Sequence, residues 1–486
     1  YVLLNKALYR LLRSALLFYE KLVKDLEANG FEINPYDPCV ANKMIGGHQM
    51  TVCWHVDDLK VSHKDPKEIT KFAVYLASIY GDKLTVHRGK VHDYLGVDFD
   101  YSESGKVKIS MIKYLKGVID EFPEELPTKP AATPASDSLF KVRNENDPTY
   151  RPLPEEKARQ FHHTVAQLLF MSSRSRRDIQ TTVAFLTTRV KKPDEDDWGK
   201  LRRCLSYLKG TRYMKLTLEV NDLRVIEWWV DASYTTHDDF KGHSGGMMSL
   251  GKGATTSASN KQKINVGSST EGEIVGTHDF LGKIMWAKYF IEAQGYTVDQ
   301  NIVYQDNQAT LRLMTNGRLS STKRTKHIHA RYFLVKDYIE RGEIKAVHCP
   351  AEGMWADVLN KPKQGASFRR DRGHLMNVPT DYDNEIERSR THPKLLTFEK
   401  EGTQDVPAKS RTVLKGALPV QHRRSVLGRP RIGAPHRAPN MRRVLNPRPR
   451  DIRPIPGVMA ESERVRTKVR MGRGRARGRG ARPAQQ

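Results

Sequence analysis

A chain of 486 residues with 82 Lys/Arg against 56 Asp/Glu, formal net charge +26, is too long for one hydrophobic core, which stops growing near 250–300 residues, so two or three domains are predicted. Four scattered cysteines (Cys39, Cys53, Cys204, Cys349) without a C-x-x-C pair exclude a disulfide scaffold and a zinc module of that type. No apolar run approaches the ~18 residues of a membrane span and no basic-then-apolar leader opens the chain, so a soluble, intracellular protein is expected.

Residues 1–125 alternate helical and strand-like patterns, from "LLRSALLFYEKLVKDLEANG" to the strand "MTVCWHV", which ends at Asp57 and Asp58. Tyr1 stands where Met would open a reading frame, and residues 1–22 read as the middle of a folded element. Upstream parts of a longer protein are therefore expected. Two adjacent carboxylates at a strand end repel, and a divalent cation relieves that repulsion. Taken alone, however, a D-D pair is more often an exposed turn. Pro-rich residues 121–160 predict a linker before a helical stretch at 156–210.

From Arg224 the order becomes three strands ("RVIEWWVDASY", "GGMMSLGKG", "ATTSASNKQ"), a long helix, a strand, helix, strand and a final helix. Four acidic residues fall at element ends. Asp231 closes the first strand, Glu271 opens the long helix behind N-cap candidates Ser268 to Thr270, Asp306 ends the strand "NIVYQD", and Asp357 starts the last helix. Singly, Glu271 and Asp357 are better explained as helix-start acidic residues. Together the four can converge on one sheet edge and hold two Mg²⁺ (or Mn²⁺) ions for phosphodiester hydrolysis. The helix "STKRTKHIHARYFLVKDYIERG" buries Ile328, Tyr332, Val335 and Ile339, leaving Lys323, Arg324, Lys326 and Arg331 as candidates to grip phosphates.

Residues 401–486 carry 22 Lys/Arg against 5 Asp/Glu, +17 of the total, with 10 Pro and 9 Gly. So few apolar residues cannot offset the entropy of ordering, and the tail is expected to be disordered. The basic surplus points to nucleic acid as partner.

The segments "LNKALYRLLRSALLFYEKL", "GFEINPYDPCV", "VDDLKVSHKDP", "YLGVDFDY", "ATPAS", "RDIQTTVAFLTTRV" and "LSYLKGT" resemble, in order, the reverse transcriptase of copia-type retrotransposon polyproteins. "VDASYTTHDDFKGHSGGMMSLGKG", "SSTEGE", "YQDNQA", "KRTKHIHARYF" and "ADVLNKP" resemble that family's ribonuclease H domain. Departures are Arg10 for Gly, His55 for Tyr, Gly272 for Ala, and "NKPK" for a T-K-P/L ending. No match is found for the mobile-loop His of cellular ribonucleases H, and His348 reads as structural.

The resemblance implies an α/β (α+β) chain divided as follows: an incomplete reverse transcriptase palm and thumb (1–125), a connection segment (126–223), a ribonuclease H domain with a mixed five-stranded sheet (224–375), and a basic tail (376–486). It further implies hydrolysis of RNA in RNA–DNA hybrids by Asp231, Glu271, Asp306 and Asp357. Asp57 and Asp58 would be polymerase metal ligands whose third carboxylate lies upstream, so primer extension by this chain alone is not expected. Partners would be hybrid, single- or double-stranded nucleic acid and the rest of the polyprotein, in a cytoplasmic virus-like particle or the nucleus. An integrase would need a His-His-Cys-Cys module and a D-D-E triad, which are absent. The alternative is a decayed or repurposed element that only binds nucleic acid.

For the tail, the expected outcome is sequence-independent binding whose affinity falls with salt at a log–log slope of about −0.9 per phosphate contact on duplex DNA. A salt titration of the isolated tail measures this, and salt-insensitive binding would refute it.

Overall fold

Three sheets arise from three successive stretches of chain, and the computed structural model describes residues 12–81, 84–317, 330–382 and 411–416. Helix α1 (Leu12–Ala28) leads into strands β1 (Glu32–Ile33), β2 (Val40–Ile45), β3 (His48–His55) and β4 (Asp58–Ser62), then helix α2 (Pro66–Tyr80) and β5 (Leu84–Gly89). Alternation along β3 and β4 turns Met50, Val52, Trp54, Leu59 and Val61 inward, against Leu22 and Leu26 of α1 and Ile69, Phe72 and Leu76 of α2. Asp65 caps α2 by accepting from the Lys67 N–H, and Pro66 fills its first position.

The second stretch supplies β6 (Val91–Tyr94), β7 (Val97–Asp100), β8 (Lys106–Ser110), helices α3 (Ile112–Asp120), α4 (Glu155–Ser172), α5 (Gln180–Arg189) and α6 (Glu195–Gly210), and β9 (Leu216–Val220). Between α3 and α4 the Pro-rich chain makes no helix or strand beyond a bridge from Pro152 to Asp194. The buried Arg176 guanidinium donates to both oxygens of Asp178, at 2.9 and 2.7 Å, and the Tyr207 hydroxyl donates to the same carboxylate at 2.6 Å. This bidentate pair ties the α4–α5 turn to α6, and because it is buried, losing either partner would strand the other charge.

The third stretch gives β10 (Val225–Ser233), β11 (Lys241–Ser249), β12 (Gly251–Lys252), β13 (Thr256–Asn265), α7 (Ser269–Ala293), β14 (Gln300–Gln305), α8 (Gln308–Asn316), α9 (Leu334–Glu340), β15 (Lys345–His348) and α10 (Gly365–Met376). Its sheet runs β13-β11-β10-β14-β15, antiparallel from β13 to β10 and parallel from β10 to β15, so the fold is mixed α/β with the mixed five-stranded sheet expected. The short β12 pairs instead with β9, joining the sheet β12-β9-β8-β7-β6.

Along β10, Trp228 and Val230 face α7, in a core with Ile274, Phe280 and Ile284. Trp229 faces the other way, into a core that runs from Val97 through α4–α6 to Met376. The helical stretch before β10 is therefore a packed layer under the sheet. At its far end α7 meets the first sheet: Trp286 Nε1 donates to the Tyr36 carbonyl at 3.0 Å and Tyr289 stacks on Tyr36 at 5.4 Å.

One segment departs from the sequence reading. Arg411–Gly416, within the tail expected to be disordered, forms strand β16 between β4 and β5. β4 and β5 would otherwise offer open ladder edges, and Thr412-Val413-Leu414 is a run of strand formers. Residues 383–410 and 417–486, where the rest of the tail expectation falls, lie outside the described residues. The described residues belong to one unit, Tyr1–Gln421.

Two adjacent glycines on β11 let both layers approach the sheet. A Cβ at Gly246 would sit 2.5 Å from the Phe280 ring of α7, whereas a Cβ at Gly245 would meet Leu359 at 2.7 Å and its backbone at 2.8 Å. Gly245→Ala is expected to cost about 1–3 kcal/mol by overpacking. Gly282→Ala, on the exposed face of α7 with nothing within 4 Å, should stabilise by up to about 1 kcal/mol through helix propensity. Denaturant melts of the two variants check this, and equal shifts would refute it.

Candidate metal centre

The parallel register of β10 and β14 pairs Trp228 with Val303 and Trp229 with Tyr304. Two residues further along the two chains come Asp231 and Asp306, side by side where the ladder ends. Helix α7 begins after β13, with Ser268 accepting from the Glu271 N–H as N-cap, and its first turns return to the same edge. There one carboxylate oxygen from each of Asp231, Glu273 and Asp306 lies within 4.8 Å of the other two. The Ala232 N–H donates to Glu273 at 3.0 Å and fixes its orientation.

Glu271 is not in this trio. Its carboxylate folds back to accept from the Gly267 N–H at 2.7 Å, a helix-start role. Two residues along a helix amount to a rotation of about 200°, so Glu271 and Glu273 leave the axis on opposite sides. Glu273 is in phase with the buried Thr277, Phe280, Leu281 and Ile284, a hint in the sequence that becomes decisive only once the helix is docked on the sheet.

Asp357 lies in a 3-10 turn, Trp355–Leu359, rather than at the start of α10. Trp355 is held between Trp229 at 4.3 Å and His374 at 4.0 Å, which presses the turn onto the sheet beneath Asp231. Asp357 then shares a hydrogen bond with Asp231. Asp231 Oδ2 also accepts from Asn360 Nδ2 at 2.7 Å and Lys361 Nζ at 3.2 Å. Asp357 accepts from Lys361 at 2.6 Å on one oxygen and is paired with Lys363 at 2.7 Å on the other.

Crowding and burial shift these groups. Burial, then the neighbouring Asp357 carboxyl, pushes Asp231 up to about 6. Burial and the charge of Asp231 raise Glu273, and burial and the charge of Asp357 raise Asp306. Burial opposes ionisation of Asp357 as well, but its shared hydrogen bond and the two lysines outweigh it and hold its carboxyl below the usual range. Asp231 is the more buried of the pair, 2% against 14% exposed, which is why the upward shift falls on it.

Residues 1–136 match the family described as reverse transcriptase (RNA-dependent DNA polymerase). The chain is 26% identical over 365 residues to the retrovirus-related Pol polyprotein from transposon TNT 1-94 of Nicotiana tabacum, covering 74% of this chain and 27% of that protein. It is 24% identical over 372 residues to the corresponding polyprotein from transposon RE1 of Arabidopsis thaliana, 75% of this chain and 24% of that one. Over about three quarters of its length the chain is similar to the Pol polyproteins of copia-type retrotransposons. It spans about a quarter of the length of these curated relatives. A putative transposon Ty5-1 protein of Saccharomyces cerevisiae is 27% identical over 282 residues, 87% of its own length. No solved structure matches the chain.

The adjacent pair Asp57 and Asp58 stands apart from this centre. Asp57 lies exposed in the two-residue turn between β3 and β4, and Asp58 begins β4 opposite His55. The turn carries Val56 at φ 57°, a conformation that a β-branched residue rarely adopts. Among the described residues no third His, Cys, Asp or Glu joins Asp57 and Asp58 in a cluster. Lys323, Arg324 and Lys326 lie outside the described residues, and Arg331 belongs to a 3-10 turn, Ala330–Phe333, that precedes α9. His348 is exposed at the end of β15, in register with Gln305. Asn360, Lys361 and Lys363 were not foreseen from sequence, because nothing in "NKPK" tells which way each side chain turns.

The raised Glu273 favours folding most when protonated. That contribution is complete below the unfolded value near 4.5 and is lost as pH rises through the raised folded value. Glu273→Gln should therefore raise the melting temperature by roughly 2–4 °C at pH 8 in EDTA, with a smaller gain near pH 5. Glu271→Gln should instead lower it, by weakening a helix-start contact. Scanning calorimetry at both pH values separates the two, and equal shifts would refute the assignment.

Proposed function

We propose that residues 224–375 are a ribonuclease H domain that cleaves the RNA strand of an RNA–DNA hybrid, with Asp231, Glu273, Asp306 and Asp357 as the acidic set. The observation that carries this is the meeting of two buried carboxylates and the half-buried Asp306, from two parallel strands and a helix, at one sheet edge, with Asp357 beside Asp231. Such a donor set suits hard divalent cations with oxygen preference. Bound there, Mg²⁺ or Mn²⁺ would generate hydroxide from water and stabilise the leaving 3′ oxygen. The chain's own part is positional. Asn360 orients Asp231, the Ala232 N–H orients Glu273, and the Trp229–Trp355–His374 stack sets the height of Asp357.

Residues 1–125 are read as part of the reverse transcriptase, with Asp57 and Asp58 as two of its metal ligands and the remainder of the polyprotein supplying the rest. The strain at Val56 supports a functional turn. The basic surface and tail fit nucleic acid as partner, in a virus-like particle or the nucleus. No helix among the described residues is long and apolar enough to cross a membrane.

Asp306→Asn is the test. It keeps the side chain's shape but removes a charge, so hybrid cleavage should fall by about 100-fold or more, the rate equivalent of the several kcal/mol a bound cation supplies. Hybrid binding and melting temperature should hardly change. Retained cleavage in the variant would overturn the site. A wild-type chain that binds hybrid without cleaving it would favour the decayed-element alternative.

A further inference from the structure

The ion pairs of the centre fall on Asp231 and Asp357. The Lys361 ammonium lies between these two carboxylates, 3.2 Å from Asp231 Oδ2 and 2.6 Å from Asp357 Oδ1. That is the position of a cation shared by two carboxylates, filled by one of the chain's own charges. With Asp231, Glu273 and Asp306 complete a second set of three oxygens.

The two lysines differ in how they are held. Lys363 is 14% exposed and bridges Asp357 Oδ2 at 2.7 Å to the fully buried Asp371 of α10 at 2.6 Å, so it is fixed on both sides. Lys361 is 45% exposed. Its four-carbon stem lets the ammonium swing into solvent without backbone movement. Lys363 thus anchors Asp357, while Lys361 is free to leave.

We propose that Lys361 is a positioning residue that competes with the second divalent cation, so that the Asp231–Glu273–Asp306 set loads first and the Asp231–Asp357 pair loads only as Lys361 moves away. This rests on the metal-dependent reading above and adds an order of loading to it. A compact ammonium within 3.2 Å of both carboxylates repels an incoming divalent ion and shares its ligands, and both effects are strong where water is largely excluded. Once displaced, the ammonium would be poised beside the nucleic-acid backbone at the same edge.

The full chain, stripped with EDTA, is titrated with Mn²⁺ alone, bound ions being counted from the free-Mn²⁺ electron paramagnetic resonance signal and checked by melting temperature. Wild type should bind one ion and then a second, weaker by about tenfold or more. In Lys361→Met the second step should tighten by about tenfold, with a smaller change in the first. Lys361→Arg retains the charge and should keep the two steps apart. Two equal sites in wild type, or a second step in Lys361→Met that is unchanged or weaker, would overturn the inference. Should Lys361→Met not fold, the wild-type and Lys361→Arg isotherms decide it, since merged steps in either contradict competition. Absence of any Mn²⁺ binding would instead defeat the carboxylate reading of the site.

Discussion

Bringing four carboxylates to one edge of a sheet works against folding, because each is desolvated and each repels the others. The rest of the third sheet can be understood as what makes that arrangement tolerable. Two lysines from the segment after the 3-10 turn, and backbone and amide donors from Ala232 and Asn360, all bear on the same few oxygens. Natural chains keep such local conflict where function requires it, and stability is made up elsewhere.

That compensation lies in the packing on both faces of β10 and β11. Trp228 and Val230 on one side and Trp229 on the other join separate apolar cores, so the central strand is fixed from above and below. Gly245 stands directly opposite Asp231 in the ladder, and its missing side chain is the space that Leu359 occupies. A residue with no chemistry of its own thus lets the turn that carries Asp357 close onto the sheet beside Asp231. Helix α7 links this edge to the first sheet, since it carries Glu273 in its first turns and Trp286 and Tyr289 against Tyr36 near its end.

Relatives cover about three quarters of the chain at identities near 25%. At that distance a match over length shows a likeness, but not which acidic residue of a closely spaced pair does the chemistry. Glu271 and Glu273 illustrate the difference, being two positions apart in sequence and on opposite sides of one helix.

The resemblance to a known family implied the mixed five-stranded sheet; by itself the sequence determined the order of elements from Arg224 onward and the strand ends at which Asp231 and Asp306 fall. These follow from period-2 and period-3.6 patterning and from strand ends, which are local properties. Only the tertiary structure decided that Glu273 joins the cluster and Glu271 folds back to Gly267, because helix phase relative to a sheet edge depends on how the helix docks. Likewise the position of Asp357 in a 3-10 turn, the placement of Lys361 beside it and the strand at Arg411–Gly416 depend on partners distant in sequence: Trp229 and His374 for the turn, Asp231 for Lys361, β4 and β5 for the strand. No local pattern encodes a contact whose other half lies tens to hundreds of residues away.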